Sequence, residues 1–308
     1  MNARAQNQRG QATVLSLVFL TVLLGMAALV LDVGSWYRAD RDTQSTADAA
    51  ALAGAQALPD DTSQASALAS QYASKNGGGL QSVTFSSSLG TNDTITVQIK
   101  KPASGVFTKL FGVDSVNVGS KATARTALVS QAKYVAPIAV KNTHPMLIGC
   151  KGGPCYGSAY ETKIPVAQTG APGAFALVNL LNEQNGTSGA SVLAQWILRG
   201  FDGYLPIGGY FSDPGVKFNS NQIQDALAAR LTANPVLLFP VYDTLTGSGS
   251  NAEYHVIGWA AFHVDSFDKS GNNGSVTGYF VNVIWQGLQA TSGGQPPNFG
   301  VRSVQLID

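Results

Sequence analysis

From Gly10 to Leu31 the chain reads GQATVLSLVFLTVLLGMAALVL, with no ionisable side chain. As a helix these roughly 22 positions rise about 33 Å at 1.5 Å per residue, enough to cross a hydrocarbon layer about 30 Å thick. The run predicts a membrane-spanning helix that stops near Leu31, because an aspartate at the middle of such a helix costs about 2.5–3.5 kcal/mol. Asp32 is then expected at the interface. The apolar run is longer than the roughly 7–15 residues of a cleaved secretory leader, and the small-residue sites in ALAGAQA (51–57) lie beyond a charged stretch, so a retained signal anchor is expected.

Helical patterning continues through VGSWYRADRDTQSTADAAALAGAQAL until Pro59 stops it. The small residues Ala47, Ala50, Ala51, Gly54 and Ala55 allow another element to come close to the helix backbone, while Arg41, Gln44 and Asp48 form a polar line at i, i+3, i+7. Two readings stay open: this face meets a partner, a second copy of the helix included, or it packs on its own domain and leaves the polar line in water.

The rest of the chain alternates between periods. Residues 63–76 read as a short helix closed by Gly77, Gly78 and Gly79. VTFSS, TITVQIK and SVNVGSKATARTALV read as strands, with Ile95, Val97 and Ile99 on one face and a short helical connection over 105–111. Helices are expected near 174–182, 190–199 and 220–231, the last capped by Asn219 or Ser220 with Ile223, Leu227 and Leu231 on one face. The C-terminal third is strand-rich, with a hairpin loop over 269–274. The expected class is α+β: a long transmembrane helix continuing outside the membrane (1–58), a small α+β unit (59–132) and a larger strand-rich α+β domain (133–308).

Composition narrows the functions. Charged residues are 12% of the 308, about half the usual share, and 19 Lys plus Arg against 18 Asp plus Glu leave +1. Such a chain has no global field to recruit nucleic acid. The positive charges flanking the apolar run, Arg4 and Arg9 before it and Arg38 and Arg41 after it, are tied in number. The α-amino group, the closeness of Arg9 and the ease with which a long domain translocates favour a cytoplasmic N-terminus. The only two cysteines, Cys150 and Cys155, flank Lys-Gly-Gly-Pro, a turn able to bring them within disulfide range on an oxidising side of the membrane.

Catalytic patterns are missing. Of three histidines, His255 and His263 are eight residues apart, about 26 Å along a continuous strand and too far to share a metal. No HExxH, GxSxG or phosphate-loop pattern occurs, and Asp202, Asp213, Asp243 and Glu253 are scattered. No cofactor and no catalytic residue is assigned. The stretch FDGYLPIGGYFSDPG (201–215) sets Phe201, Tyr204, Tyr210 and Phe211 among glycines and prolines. It reads either as a binding loop for carbohydrate or a protein subunit, or as a connection whose aromatics fold back onto the core.

Arg9-Gly10, the apolar run, Asp32-Val33-Gly34, Tyr37, Arg41, Gln44 and the block Ala47 to Ala55 resemble, in order and spacing, the N-terminal region of TadE/TadG-like proteins of the tight-adherence (Flp) pilus system. The resemblance covers about the first 58 residues. It departs from the pilin-like members at Leu15, where they carry a glutamate, and lacks the Asp-x-Ser-x-Ser motif of members with a von Willebrand factor A-type domain. It implies a single-pass bacterial envelope protein, non-enzymatic, with lipid and pilus-assembly or envelope proteins as partners and an extracytoplasmic C-terminal domain. An extracytoplasmic adhesin or ligand-binding surface protein is the alternative.

Overall fold

The computed structural model describes residues 3–150, 153–166, 170–172, 174–184, 186–215, 217–268, 274–289 and 295–307. Two compact units emerge, one of residues 1–126 with 304–308 and one of residues 127–303.

The first unit begins with α1, Ala3–Ala55, which continues unbroken past the apolar run. Its most apolar stretch is not buried at all, which separates it from the core helix of a soluble domain. α2 (Thr62–Lys75) comes next, its N-terminus capped by Asp61, whose side chain accepts from the Gln64 amide at 2.8 Å. Strands β1 (Leu80–Ser86), β2 (Thr94–Ser104) and β3 (Ser115–Ala132) form antiparallel neighbours with β2 between the other two. The β2–β3 pairing runs from Thr94 opposite Arg125 to Ser104 opposite Ser115, and the connection beyond it contains a single 3-10 turn, Thr108–Phe111.

Alternation along β2 turns Ile95, Val97 and Ile99 to one buried face, as expected, and the helices cover it. α2 buries Ala65, Ala69 and Ala73, one alanine per turn at i, i+4 and i+8. α1 buries Ala47, Ala50, Ala51 and Ala55 in the same cluster. Small side chains on both helices leave the larger Ile and Val of the sheet to fill the space.

In the second unit the remaining elements are β4 (Val140–Lys141), α3 (Pro145–Ile148), β5 (Thr162–Val166), α4 (Ala190–Arg199), β6 (Leu205–Pro206), β7 (Gly208–Phe211), α5 (Asn221–Ala233), β8 (Val236–Thr246), β9 (Glu253–Asp268), β10 (Gly274–Val281), β11 (Val283–Ile284), β12 (Gly287–Gln289) and β13 (Val301–Leu306), the last ending in the first unit. The main sheet has the order β4-β8-β9-β10-β5, with β7 also on β9; only β4 and β8 run parallel. One phenylalanine from each central strand, Phe239, Phe262 and Phe280, forms a ladder with centroids 5.6 and 5.0 Å apart. α4 and α5 pack on each other, and Ser220 is the N-cap of α5.

The segment 174–182 is not the expected helix. Its Val178 amide bonds to Pro137 O at 3.0 Å, Leu177 and Val178 make isolated bridges to Ile138 and Ser212, and Ala176 and Asn182 adopt φ of 56° and 57°. Pairing with neighbouring extended segments outweighs the helical pattern of its apolar residues. Most of the expected loop over 269–274 lies outside the described residues.

Candidate functional site

Where α1 leaves its apolar run, Asp32 is fully buried. Its Oδ1 accepts from the amides of Val106 at 2.6 Å and Phe107 at 3.2 Å, and its Oδ2 from Phe107 at 3.0 Å and Thr108 at 2.7 Å. Three consecutive N–H groups thus converge on one carboxylate, a backbone nest for an anion. Glycine at 105 lets the nest close without displacing Thr108, since a Cβ there would run into the Thr108 hydroxyl and lie 3.1 Å from Asp32 Oδ2. The nest compensates a charge that would otherwise be expensive to bury beside an apolar segment. The sequence marked Asp32 as the end of the run and as part of the resembling Asp32-Val33-Gly34, without its partner. The clue to its partner was the apolar composition of the hairpin connection GVFTKLFGV, where polar turn residues are usual.

On the expected interaction face of α1, the small and the polar residues part company. Ala47, Ala51 and Gly54 are buried against α2 and β2 of the same chain. A Cβ at Gly54 would stand 2.5 Å from Ile95 Cδ1 and 2.9 Å from Ala65 O, so glycine there permits a close approach of both neighbours to the helix backbone. These three residues are therefore covered within the chain, because the small-residue strip is where the hairpin and α2 dock. Arg41 remains exposed, donating to Tyr37 Oη at 2.8 and 3.1 Å and lying over its ring. Gln44 and Asp48 are both half-buried and are joined by a hydrogen bond from Nε2 to Oδ1 at 2.7 Å. Val33, Tyr37 and Arg41, at i, i+4 and i+8, form an outward line that Gln44 and Asp48 extend.

The aromatic loop is also divided. Phe201 packs edge-on against Trp196 at 5.6 Å, Tyr210 is buried with its hydroxyl donating to Pro206 O at 2.6 Å, and Phe211 is half-buried in β7 opposite Glu253. Tyr204 alone of the four is exposed. Close to the end of this stretch lies a polar lock that sequence reading missed: buried Asp213 accepts from the Ser188 amide at 2.7 Å and pairs with Lys217, whose ammonium also donates to Ser188 O at 2.7 Å. Nothing in the scattered acidic residues distinguished Asp213 from its exposed counterparts.

Cys150 and Cys155 form the expected disulfide, with Cα atoms 5.1 Å apart. The histidines do not converge. His144 caps α3 through Nδ1, His255 pairs with Asp243 at 2.8 Å, and His263 stacks on Tyr279 at 4.7 Å. Among the described residues no group of three or more His, Cys, Asp or Glu could hold a metal.

Residues 10–57 match the model of the family described as putative Flp pilus-assembly TadE/G-like. No curated protein and no solved structure matches the chain. The matched region runs from the start of α1's apolar run to just past its end, and with one membrane-length helix among the described residues the chain fits a single-pass membrane protein associated with a pilus system.

Proposed function

We propose that this chain is a non-enzymatic, membrane-anchored pilus-assembly or pilus-associated protein, with a cytoplasmic N-terminus and an extracytoplasmic C-terminal domain, that acts through protein contacts in the envelope. The observation that carries the reading is the coincidence of the family match with a helix whose apolar stretch is unburied. With Ala47, Ala51 and Gly54 covered by the chain itself, the surface of α1 left for a partner includes the line through Val33, Tyr37 and Arg41. It combines an aromatic and a guanidinium, the residue types enriched where protein contacts concentrate binding energy. Each histidine and the Asp213–Lys217 pair has a structural partner, which supports a role in contact over one in chemistry.

Deletion of the gene from its native host, followed by complementation, tests the reading. The wild-type chain is expected to restore surface pili, and a Tyr37→Ala, Arg41→Glu variant of equal abundance to fail. Normal piliation in the deletion strain would overturn it, and glycan binding by the purified chain in such a case would favour the adhesin reading.

A further inference from the structure

The connection between β2 and β3 is apolar where a hairpin end in water is polar. Val106, Leu110 and Phe111 are 67%, 80% and 85% exposed, and Lys109 is the sole charge between Gly105 and Val113. This end does not project freely. The Asp32 nest fastens it to α1 on the side of the apolar run, where Phe107, Leu110 and Phe111 face Leu24, Ala28 and Leu29 across a groove of about 530 Å³. The groove reaches Thr21, eleven residues before Asp32 and about 16 Å along the helix axis. The exposed Leu110 and Phe111 therefore lie level with the last turns of the very segment that is long and apolar enough to cross a membrane.

We propose that the β2–β3 hairpin end is a second membrane element, which inserts Val106, Leu110 and Phe111 among the acyl chains of the leaflet on the Asp32 side of the anchor. The inference rests on the anchored reading. Two features suit this hairpin end to lipid and are unnecessary in water. Six of its backbone donors are satisfied internally: the amides of Val106, Phe107 and Thr108 by Asp32, those of Leu110, Gly112 and Val113 by the carbonyls of Phe107, Lys109 and Thr108 at 3.0–3.1 Å. Unsatisfied amides are what exclude irregular backbone from a bilayer, so pairing these six lowers that obstacle. The apolar side chains are also continuous with the apolar surface of α1, and a depth of about 5–10 Å, usual for interfacial elements, suffices to bury them. Lys109 carries its ammonium on a four-carbon stem able to reach headgroup phosphates. Lipid is the occupant this surface fits because α1 fixes it at bilayer height.

The test uses the full chain with its disulfide intact, reconstituted in phosphatidylcholine nanodiscs, with single cysteines in place of Leu20, Thr91, Leu110 and Phe111 labelled by an environment-sensitive fluorophore. Thr91 lies in the turn at the other end of β2, whose 11 residues span about 35 Å, and is exposed. Lipids carrying nitroxides on their acyl chains should quench the labels at 110 and 111 at least about threefold more than the label at 91, approaching that at 20. Quenching at 20 with none beyond the Thr91 level at 110 and 111 would overturn the proposal and leave the anchored reading standing. No quenching at 20 would overturn both. Cross-linking of unlabelled cysteines at 110 between two chains in one disc, without lipid quenching, would assign the surface to a second copy and likewise overturn it.

Discussion

Asp32 and Val106 are 74 positions apart in the chain, yet the carboxylate of one accepts from the backbone amide of the other at 2.6 Å. The bond ties the helix that fits a membrane span to the end of a β-hairpin, and the neighbouring amides of Phe107 and Thr108 make it a three-donor grip. Hydrogen bonds to a charged group contribute about 1.5–3 kcal/mol each, while an unmatched buried partner costs a similar amount.

Replacing Asp32 with Ala is therefore expected to free the hairpin end without unfolding the β1–β2–β3 sheet. Hydrogen exchange of the Val106, Phe107 and Thr108 amides should accelerate by about 30-fold, corresponding to about 2 kcal/mol of lost local stability. Amides in the middle of β2 should be unaffected. Equal acceleration throughout the sheet would show that Asp32 supports the whole unit instead of the grip.

Gly54 and Gly34, on the same helix, should respond oppositely to alanine. At Gly34 a Cβ meets nothing within 4 Å, so Gly34→Ala should stabilise α1 by up to about 1 kcal/mol through helix propensity. At Gly54 the Cβ meets Ile95 Cδ1 at 2.5 Å and Ala65 O at 2.9 Å, and Gly54→Ala should destabilise by about 1–3 kcal/mol. Adding Ile95→Val removes the first clash, so thermal melts of the single and double variants should show a favourable coupling. Additive losses would mean that the Ala65 carbonyl alone sets the cost.

Asp93 gives the β1–β2 turn an acid-sensitive point. Burial pushes its carboxyl up, but the amide of Ser88, the hydroxyl of Thr94 and the amides of Leu89 and Gly90 together outweigh burial and hold it below the usual value of 3.8. A folded-state value below the unfolded one means the contribution is complete above about pH 4 and is lost as pH falls through the folded value. Melting temperature measured downward from pH 7 should drop more steeply below pH 4 for the natural chain than for Asp93→Asn, which should be less stable at neutral pH. Parallel curves would exclude Asp93 as the source.

Opening the Cys150–Cys155 bond should loosen the second unit only. A six-residue loop corresponds to about 2 kcal/mol of chain entropy, or roughly 4–8 °C in melting temperature for a unit of this size. Scanning calorimetry of the chain with and without reductant, alongside Cys150→Ala, Cys155→Ala, checks this. A shift in the first unit's transition would contradict it.

Local pattern alone settled several of these features. An uncharged run of about 22 residues has few ways to satisfy its surface other than a bilayer, and the alternation of Ile95, Val97 and Ile99 assigns a strand face because successive side chains point to opposite sides. The disulfide belongs here too, since a Gly-Gly-Pro turn confines both cysteines to one short loop. What the tertiary structure decided were the matters that depend on residues distant in sequence. The strip Ala47, Ala51, Gly54 promises close packing whether its partner is the same chain or another, and only the placement of Ile95 and Ala65 against it assigns the partner. Phe201, Tyr204, Tyr210 and Phe211 share a composition equally suited to a binding loop or a core, and their separation into three covered residues and one exposed residue depends on contacts with distant elements, Trp196 for Phe201 and strand β9 for Tyr210 and Phe211. Asp32 is the clearest case. Its charge marks the end of an apolar run in any sequence, but the donors that make it tolerable are backbone amides, which carry no side-chain identity, so the sequence shows an apolar hairpin connection without showing which carboxylate its amides hold.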